Sequence, residues 1–396
     1  MSANKPPFDG EWVKLGELIS KAPIERCGDG KYPVYSMTMR DGIVEQAGRF
    51  KKAVASKDTS SYKVVKKNQL VVGFPIDEGV IYVQRHDAPG IMSPAYNVWN
   101  INLGRVDPSY LEFALHSPRS MAYYADKMRG TTARRRTLTA DGLREMEIPL
   151  PSADGQIRVV NTLDEVRLLI KEANGQIAML DTLVKSRFGE MFGDAETIEA
   201  KWDVCALRDC VESLESGKSP SCQNMPRKGL EPGVLKLSAL SSGRFLPEEN
   251  KAMLPGGAIA PDKGVRRGDI LIARKNTPEL VGSCVLVRDD VENLMFPDIV
   301  FRMHPKGSVE GEYLSALLSG PSYSGKVKSL AHGSNKSMSN IPKADLAQLR
   351  IPLPSLPLQQ EFAAFVAEVD KSRFIVQQKI EKLQMLYDSL AQEYFG

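Results

Sequence analysis

The sequence lacks the features that would assign it to a membrane or metal-binding class. It contains no run of about 18 apolar residues, which excludes a transmembrane helix, and its first residues lack the apolar core of a signal peptide. Its five cysteines form no C-x-x-C pair, and only four histidines accompany them. A zinc site is therefore not expected, and the cysteines are interpreted as reduced thiols of a cytoplasmic protein.

Motifs of catalysis are also missing or broken. No G-x-x-x-x-G-K-[ST] loop is present to bind ATP, and no Ser-His-Asp or Cys-His set stands in a recognisable motif. The peptide NKPPF (Asn4–Phe8) resembles the N-P-P-[FY] motif of amino-methyltransferases, but Lys5 interrupts it. Pro297 and Asp298 resemble the opening of a nuclease motif whose acidic-x-Lys partner is absent. The chain is interpreted as a binding protein; a methyltransferase, a nuclease and a coiled-coil scaffold remain alternatives.

The second half of the chain repeats the first at an offset of 203 residues. The peptide IPLPS occurs at Ile148–Ser152 and again at Ile351–Ser355. The same offset aligns further identical residues without a gap: Pro94 with Pro297, Tyr110 with Tyr313, Leu115 with Leu318, Gly130 with Gly333, Gln156 with Gln359, and Phe192 with Phe395. A single register held over about a hundred residues indicates an internal duplication.

Each half begins with a region of short apolar runs separated by Gly and Pro. QLVVGF, GVIYVQ, YNVWNI, DILIAR, CVLVR and DIVFRM predict strands, and PSYLEFALHS and GEYLSALLSG predict short helices. The short connections favour antiparallel pairing. The prediction is an α+β fold with two domains, 1–150 and 198–353, each built on a twisted mixed or antiparallel sheet with short helices.

A long helix follows each of these domains, within 151–197 and 354–396, and residues 156–192 of the first contain no proline. Apolar residues recur at alternating spacings of three and four, the pattern of a coiled-coil seam. In the first helix they are Leu163, Val166, Ile170, Ala173, Ile177, Leu180 and Val184; in the second they are Val366, Val369, Val376, Ile380, Leu383, Tyr387, Leu390 and Tyr394. Arg373 interrupts the second seam, and we expect its long stem to turn toward water.

Charge is divided between the two kinds of region. The domains 1–150 and 198–353 contain 22 basic against 17 acidic residues and 21 against 18. The helical segments 151–197 and 354–396 contain 5 against 8 and 4 against 6. Basic domains on acidic helices indicate a polyanion as the partner of the domains.

Two polar stretches precede the two IPLPS peptides at equivalent positions. Each begins with Gly, which permits close backbone approach, followed by hydroxyl or cationic side chains that suit phosphates and base edges. Arginine suits guanine and asparagine suits adenine. A third stretch follows the DILIA strand. The candidate DNA-binding residues are Lys127, Arg129, Thr131, Thr132, Arg134, Arg135, Arg136, Arg274, Lys275, Asn276, Thr277, Ser334, Asn335, Lys336 and Ser337. A solvated polar loop is the simpler alternative for each.

These features together resemble the specificity subunit of Type I restriction-modification systems. Each half opens near a tryptophan (Trp12, Trp202), passes through a Gly-Thr or Gly-Ser loop, and leaves through an L…IPLP exit into a long helix. IPLPSLPLQQEF and GDILIAR are typical of that family. The resemblance covers nearly the whole chain. The first half departs in detail, because GQIRVV replaces the usual glutamine-rich helix start and retains Gln156.

The resemblance implies a subunit without catalytic activity. Each of its two target-recognition domains would recognise one half of a split DNA sequence. The two helices would pack as an antiparallel coiled coil with pseudo-twofold symmetry and would set the half-site spacing. Two modification subunits would supply S-adenosylmethionine-dependent adenine methylation, and restriction subunits would supply translocation and cleavage that need ATP and magnesium. No cofactor is expected in this chain, and no membrane partner.

Overall fold

Two four-stranded antiparallel sheets, one in each half of the chain, organise the fold. The computed structural model describes residues 10–39, 41–47, 58–128, 138–194, 197–332 and 338–396. The chain divides into two compact units. The first unit is Met1–Asn174 with Gln378–Gly396, and the second unit is Gly175–Gln377. The predicted boundaries at 150, 197 and 353 stay predictions, because each compact unit takes part of both long helices.

The first unit has strands β1 to β10 and helices α1 to α3. They are β1 (Gly10–Lys14), β2 (Ile19–Lys21), β3 (Tyr35–Thr38), β4 (Gly42–Glu45), β5 (Lys63–Val65), β6 (Gln69–Val72), β7 (Ile81–Val83), β8 (Gly90–Met92), β9 (Asn97–Ile101), β10 (Glu147–Pro151), α1 (Pro108–Leu115), α2 (Pro118–Lys127) and α3 (Ala140–Arg144). Its main sheet has the order β2-β9-β6-β7, and β1 pairs with β10. Two further antiparallel pairs, β3–β4 and β5–β8, complete the sheets.

The second unit repeats this plan with additional strands. They are β11 (Val204–Ala206), β12 (Val211–Ser216), β13 (Gly233–Leu235), β14 (Asn250–Ala252), β15 (Ile270–Ala273), β16 (Lys275–Asn276), β17 (Cys284–Leu286), β18 (Leu294–Met295), β19 (Val300–Pro305), β20 (Ser339–Asn340) and β21 (Arg350–Pro352). The helices are α5 (Ile198–Lys201), α6 (Leu207–Cys210), α7 (Ser238–Ser241), α8 (Gly311–Ser319), α9 (Pro321–Ser329) and α10 (Lys343–Gln348). Its main sheet, β12-β19-β15-β17, matches that of the first unit.

The predicted α+β class is confirmed. All six predicted strand segments contain strands, and both predicted short helices form, as α1 and α8. The main sheets are antiparallel throughout, and among the described strands β13 and β18 pair in parallel. Short helices cover one face of each main sheet, so the apolar side chains of β6 and β15 are buried there.

The IPLPS repeat forms the same exit from each unit. Its apolar residues form an antiparallel pair with the opening strand of the unit, β1 with β10 and β11 with β21. A buried tyrosine hydroxyl donates to the exit strand in both places, Tyr110 to Pro149 O at 2.8 Å and Tyr313 to Pro352 O at 2.8 Å. The prolines cannot donate a backbone hydrogen bond, but their carbonyl groups accept these.

A buried glutamine fixes the start of each long helix. Gln156 Oε1 accepts from Asp107 N at 2.7 Å, and its amide donates to Pro151 O at 3.0 Å. Gln359 repeats both contacts, with Glu310 N at 2.9 Å and Pro354 O at 2.7 Å. The amide thus joins the helix to the exit strand and to the residue before α1 or α8.

The long helices are α4 (Ala153–Phe192) and α11 (Leu356–Phe395), each of 40 residues. The beginning of α4 packs with the end of α11 in the core of the first unit. The end of α4 packs with the beginning of α11 in the core of the second unit, where Phe188 and Phe192 contact Phe362. The two helices therefore run antiparallel and pack together, as expected. Within the described ranges, no helix is both long and apolar enough to span a membrane.

The predicted seam is buried or half-buried along both helices, but the expectation for Arg373 is wrong. Its side chain is only 17% exposed and does not turn to water. It donates to Asp181 Oδ1 of α4 at 2.8 Å and pairs with Asp370 one turn earlier. The negative charges of Asp181 and Asp370 offset the desolvation cost of burying the guanidinium group in this seam.

Candidate nucleic-acid interface

The first-half candidates follow helix α2. Lys127 is the last residue of α2, is exposed, and pairs with Asp126 at 3.1 Å. The other first-half candidates lie outside the described residues: Arg129, Thr131, Thr132, Arg134, Arg135 and Arg136. The carboxylate of Asp126 therefore offsets part of the positive charge of Lys127. DNA binding by the arginines stays a prediction.

The second-half candidates fall in two stretches that the fold brings together. Ser334, Asn335, Lys336 and Ser337 lie outside the described residues, but the chain on either side of them is well placed. His332 and Asn340 exchange backbone hydrogen bonds at 2.8 and 2.9 Å, which closes the base of this loop. β20 then pairs with β16, so the loop base lies against the stretch that begins at Arg274.

Arg274 is held by neighbours on both sides of its guanidinium. Its Nε and Nη2 donate to Asn340 Oδ1 at 3.3 and 3.2 Å, and the group lies 5.1 Å from the centre of the Phe301 ring. Its backbone oxygen accepts from Ile341 N at 2.8 Å. A half-buried arginine fixed in this way presents its remaining N–H groups in one orientation, which favours recognition of a planar acceptor.

The three residues after Arg274 differ in exposure. Lys275 is half-buried, Asn276 is buried and Thr277 is exposed. Asn276 Oδ1 accepts from Thr277 N at 2.8 Å, whereas its Nδ2 has no partner among the described residues. A buried amide that keeps an unused donor next to a polar loop is suited to a base or backbone acceptor.

The geometry around Asp298 does not support the nuclease alternative. The Asp298 carboxylate accepts a hydrogen bond from Ser219 Oγ, and Asp298 N donates back to the same oxygen at 3.1 Å. In the described part of the chain, no group of three or more His, Cys, Asp or Glu residues is arranged to hold a metal. The methyltransferase alternative rests on Asn4–Phe8, which lies outside the described residues.

Cys205 and Cys210, the closest cysteines in sequence, have their Sγ atoms 3.0 Å apart. Burial, with the adjacent Cys205, raises the pKa of Cys210 to about 12. A thiol with so high a pKa is a poor metal ligand, because metals bind the thiolate. The pair occupies the places that Val13 and Leu18 take in the first unit, beside the exit strand, and is interpreted as part of the core.

A cavity of about 590 Å³ lies in the second unit beside α4, α8 and α11. Its arginines are already paired: Arg244 with Asp181 at 2.6 Å, Arg373 with the same carboxylate, and Arg288 with Glu312 at 2.6 Å. Because the arginines of the lining are paired with carboxylates of the same unit, we assign no ligand to the cavity.

The sequence did not indicate two features of this region. Asn340 orients Arg274 from 66 residues away, and no local motif marks that pairing. In the first unit, Lys21, Arg26 and Lys63 come together through strand pairing. Their separation along the chain hides the cluster from any motif search.

Comparisons with known proteins locate this fold. A chain from a structure titled for complex assembly and conformational transition of the type I R-M system is similar over 99% of both chains, with a TM-score of 0.54 and 20% identity. The crystal structure of a Type-I restriction-modification system S subunit from M. genitalium is similar over 99% of both chains, with a TM-score of 0.50 and 14% identity. These likenesses concern the fold.

A curated relative carries the same family name. The Type I restriction enzyme EcoEI specificity subunit of Escherichia coli is 26% identical over 172 residues. This chain is similar in fold to the Type I specificity subunit structures over its whole length, and similar in sequence to a curated specificity subunit over part of it. The match covers 43% of this chain and 29% of that relative's length. No family model matches the chain.

Proposed function

We propose that this chain is the non-catalytic DNA-recognition subunit of a Type I restriction-modification complex, and that each unit recognises one half of a bipartite target. The observation that carries the proposal is a duplicated frame with divergent loops. Both units have the same strand order in the main sheet. In both, a buried tyrosine donates a hydrogen bond to the exit strand, and a buried glutamine accepts one at the start of the long helix. The loops beside these frames differ, arginine-rich in one half and rich in Asn and Ser in the other.

The second unit offers a concrete recognition surface. Arg274 is oriented by Asn340, and the amide donor of Asn276 has no partner among the residues that the structure describes. Arginine donates in pairs to guanine, and an asparagine amide suits adenine. Lys275 supplies a cation for the adjacent phosphate. We assign the corresponding role in the first unit to Arg134, Arg135 and Arg136.

The long helices α4 and α11 would set the distance between the two half-sites. An α-helix of 40 residues is about 60 Å long at about 1.5 Å per residue, and the pair is stiffened by its apolar seam. We further propose that two modification subunits bind this chain and hold the S-adenosylmethionine. Restriction subunits would hold ATP and magnesium.

Selection from a random DNA library tests the function. The chain is assembled with its modification subunits, bound duplexes are recovered and sequenced, and we expect two short motifs separated by a fixed gap. Absence of any enriched bipartite motif would contradict the proposal. Binding that does not weaken with salt would favour the scaffold alternative, because phosphate contacts make affinity fall as salt rises.

A substitution at Arg274 locates the recognition surface. Arg274→Ala should relax the preference at one half-site and leave the other intact. Arg208→Ala is a matched control in the same unit, since Arg208 is exposed and pairs only with the adjacent Asp209 at 3.8 Å. If Arg274→Ala changes both half-sites equally, or neither, Arg274 does not contact bases.

A further inference from the structure

Three cations from separate parts of the first unit lie together. Arg26 and Lys63 face each other across an isolated antiparallel bridge. Lys63 Nζ donates to Tyr96 O at 2.6 Å, immediately before β9. Lys21 ends β2 and lies opposite Trp99 of β9. Strand pairing therefore places all three at one end of the main sheet, and we call them the first-unit basic cluster.

The structure describes no carboxylate that neutralises the charges of this cluster. Among the residues that the structure describes, Lys21, Arg26 and Lys63 form no ion pair with a carboxylate. Partial burial, and then repulsion by Arg26 and Lys21, lowers the pKa of Lys63. Like charges that share one region of the surface repel one another, and a bound anion would offset that repulsion.

The second unit shows that a carboxylate can be placed beside such cations. Lys263 lies 3.2 Å and Arg302 lies 2.9 Å from the Glu215 carboxylate, and Asp269 lies 3.6 Å from Arg302. That cluster is compensated and mostly buried, so it stabilises the unit. The first-unit basic cluster has two exposed members, and the described part of the unit places no such carboxylate beside it.

The position of the cluster matches that of the Arg274 stretch. In the first unit, Val72 pairs with Asn97, so β6 ends beside the start of β9. In the second unit, Ala273 pairs with Val300, so β15 ends beside the start of β19 and Arg274 follows. The basic cluster and Arg274 thus occupy the same end of the main sheet, each within its own unit.

We propose that Lys21, Arg26 and Lys63 form a phosphate-contacting surface through which the first unit holds the DNA backbone at its half-site. This inference rests on the proposed function. Lysine and arginine contacts to phosphates add affinity without sequence preference. Lys63 uses one of its three N–H groups on Tyr96 O, which leaves two for phosphate oxygens. Bound phosphates would also relieve the repulsion within the cluster.

Salt dependence of binding by the assembled complex tests the surface. The duplex carries the target recovered from the library, and its affinity is measured from low to high salt. Each of Lys63→Gln and Arg26→Gln should weaken binding and should lower the slope of log affinity against log salt by about 0.9. The recovered motif should not change. Lys67→Gln is the control, because Lys67 lies four residues away and pairs with Asp87 at 2.5 Å.

A second variant separates charge from structure. Lys63→Arg keeps the cation and should restore most of the affinity and slope; a loss as large as that of Lys63→Gln would assign Lys63 a structural role and overturn the proposal. An unchanged slope in Lys63→Gln and Arg26→Gln, with the bipartite motif still recovered, would overturn the proposal and leave the function standing. Failure of the unaltered complex to enrich any motif would instead remove the function itself.

Discussion

Arg373 of α11 donates to the Asp181 carboxylate of α4 at 2.8 Å, and Arg244 donates to the same oxygen at 2.6 Å. Burial, followed by repulsion from Arg244, lowers the pKa of Arg373. At an offset of 203, the first helix has Ile170 where the second has Arg373. One duplicated position is therefore a half-buried aliphatic side chain in one copy and an ion-paired arginine in the other.

Arg373→Ile gives α11 the residue of its repeat, and we expect it to change the free energy of unfolding by less than about 1 kcal/mol. Asp181 would keep Arg244, and Asp370 would keep Arg288 at 3.3 Å. Asp181→Ala should lower the free energy of unfolding by about 1–2 kcal/mol more than Arg373→Ile does, because it leaves two arginines facing each other. The 40% exposure of Asp181 limits the loss. Urea denaturation of both variants measures these two changes in the free energy of unfolding, and equal losses of stability would contradict this account.

Gln156→Ala and Gln359→Ala should each cost about 1–3 kcal/mol of stability, because each leaves a backbone donor and carbonyls without their buried partner. Gln360→Ala is the control, since Gln360 is exposed beside Gln359. Denaturation midpoints measure the effect. If Gln359→Ala has the same denaturation midpoint as Gln360→Ala, the buried glutamine does not stabilise the helix start.

Arg134→Ala, Arg135→Ala or Arg136→Ala should cost about 1–3 kcal/mol in DNA binding for any of the three that makes a bidentate base contact. The loss should be confined to one half-site. Arg144→Ala, at the exposed end of α3, is the control. Competition binding against single-base variants of the target gives the answer, and equal loss on every sequence would reassign the residue to a phosphate contact.

Glu199 gives the second unit a pH-dependent contact. Hydrogen bonds from Lys326 and from Tyr323, both at 2.5 Å, lower the pKa of Glu199 below its ordinary value of 4.5. A lowered carboxyl pKa contributes stability that is present above pH 4.5 and is lost as the pH falls through the folded-state pKa. Glu199→Gln should therefore be less stable than the unaltered chain by about 1 kcal/mol at pH 7, and the gap should narrow as the pH falls below 4.5. Glu212→Gln, at an exposed site, is the control, and denaturation of both variants at pH 7 and at acid pH measures the effect.

The sequence was sufficient to predict the strands and helices that depend on local residue patterns. The apolar runs located β6, β9, β15 and β19 because strand formation follows alternating burial, and the offset of 203 placed α4 and α11 in register. Arg373 was misjudged because its partner Asp181 lies 192 residues away on the other helix. The link between Arg274 and Asn340, and the bridge between Arg26 and Lys63, arise from strand pairing, which a single sequence does not reveal.

The division of α11 between two units has a consequence for synthesis on the ribosome. The second unit is one continuous stretch, 175–377, whereas the first unit needs 378–396 as well. Ala391 and Phe395 belong to the core that also contains Val13 and Tyr110. The part made first can therefore complete its core only after the part made second has been translated in full, which reverses the usual N-terminal-first order of domain folding. Until the last turn of α11 emerges, the part of the first-unit core that contains Ala391 and Phe395 stays incomplete.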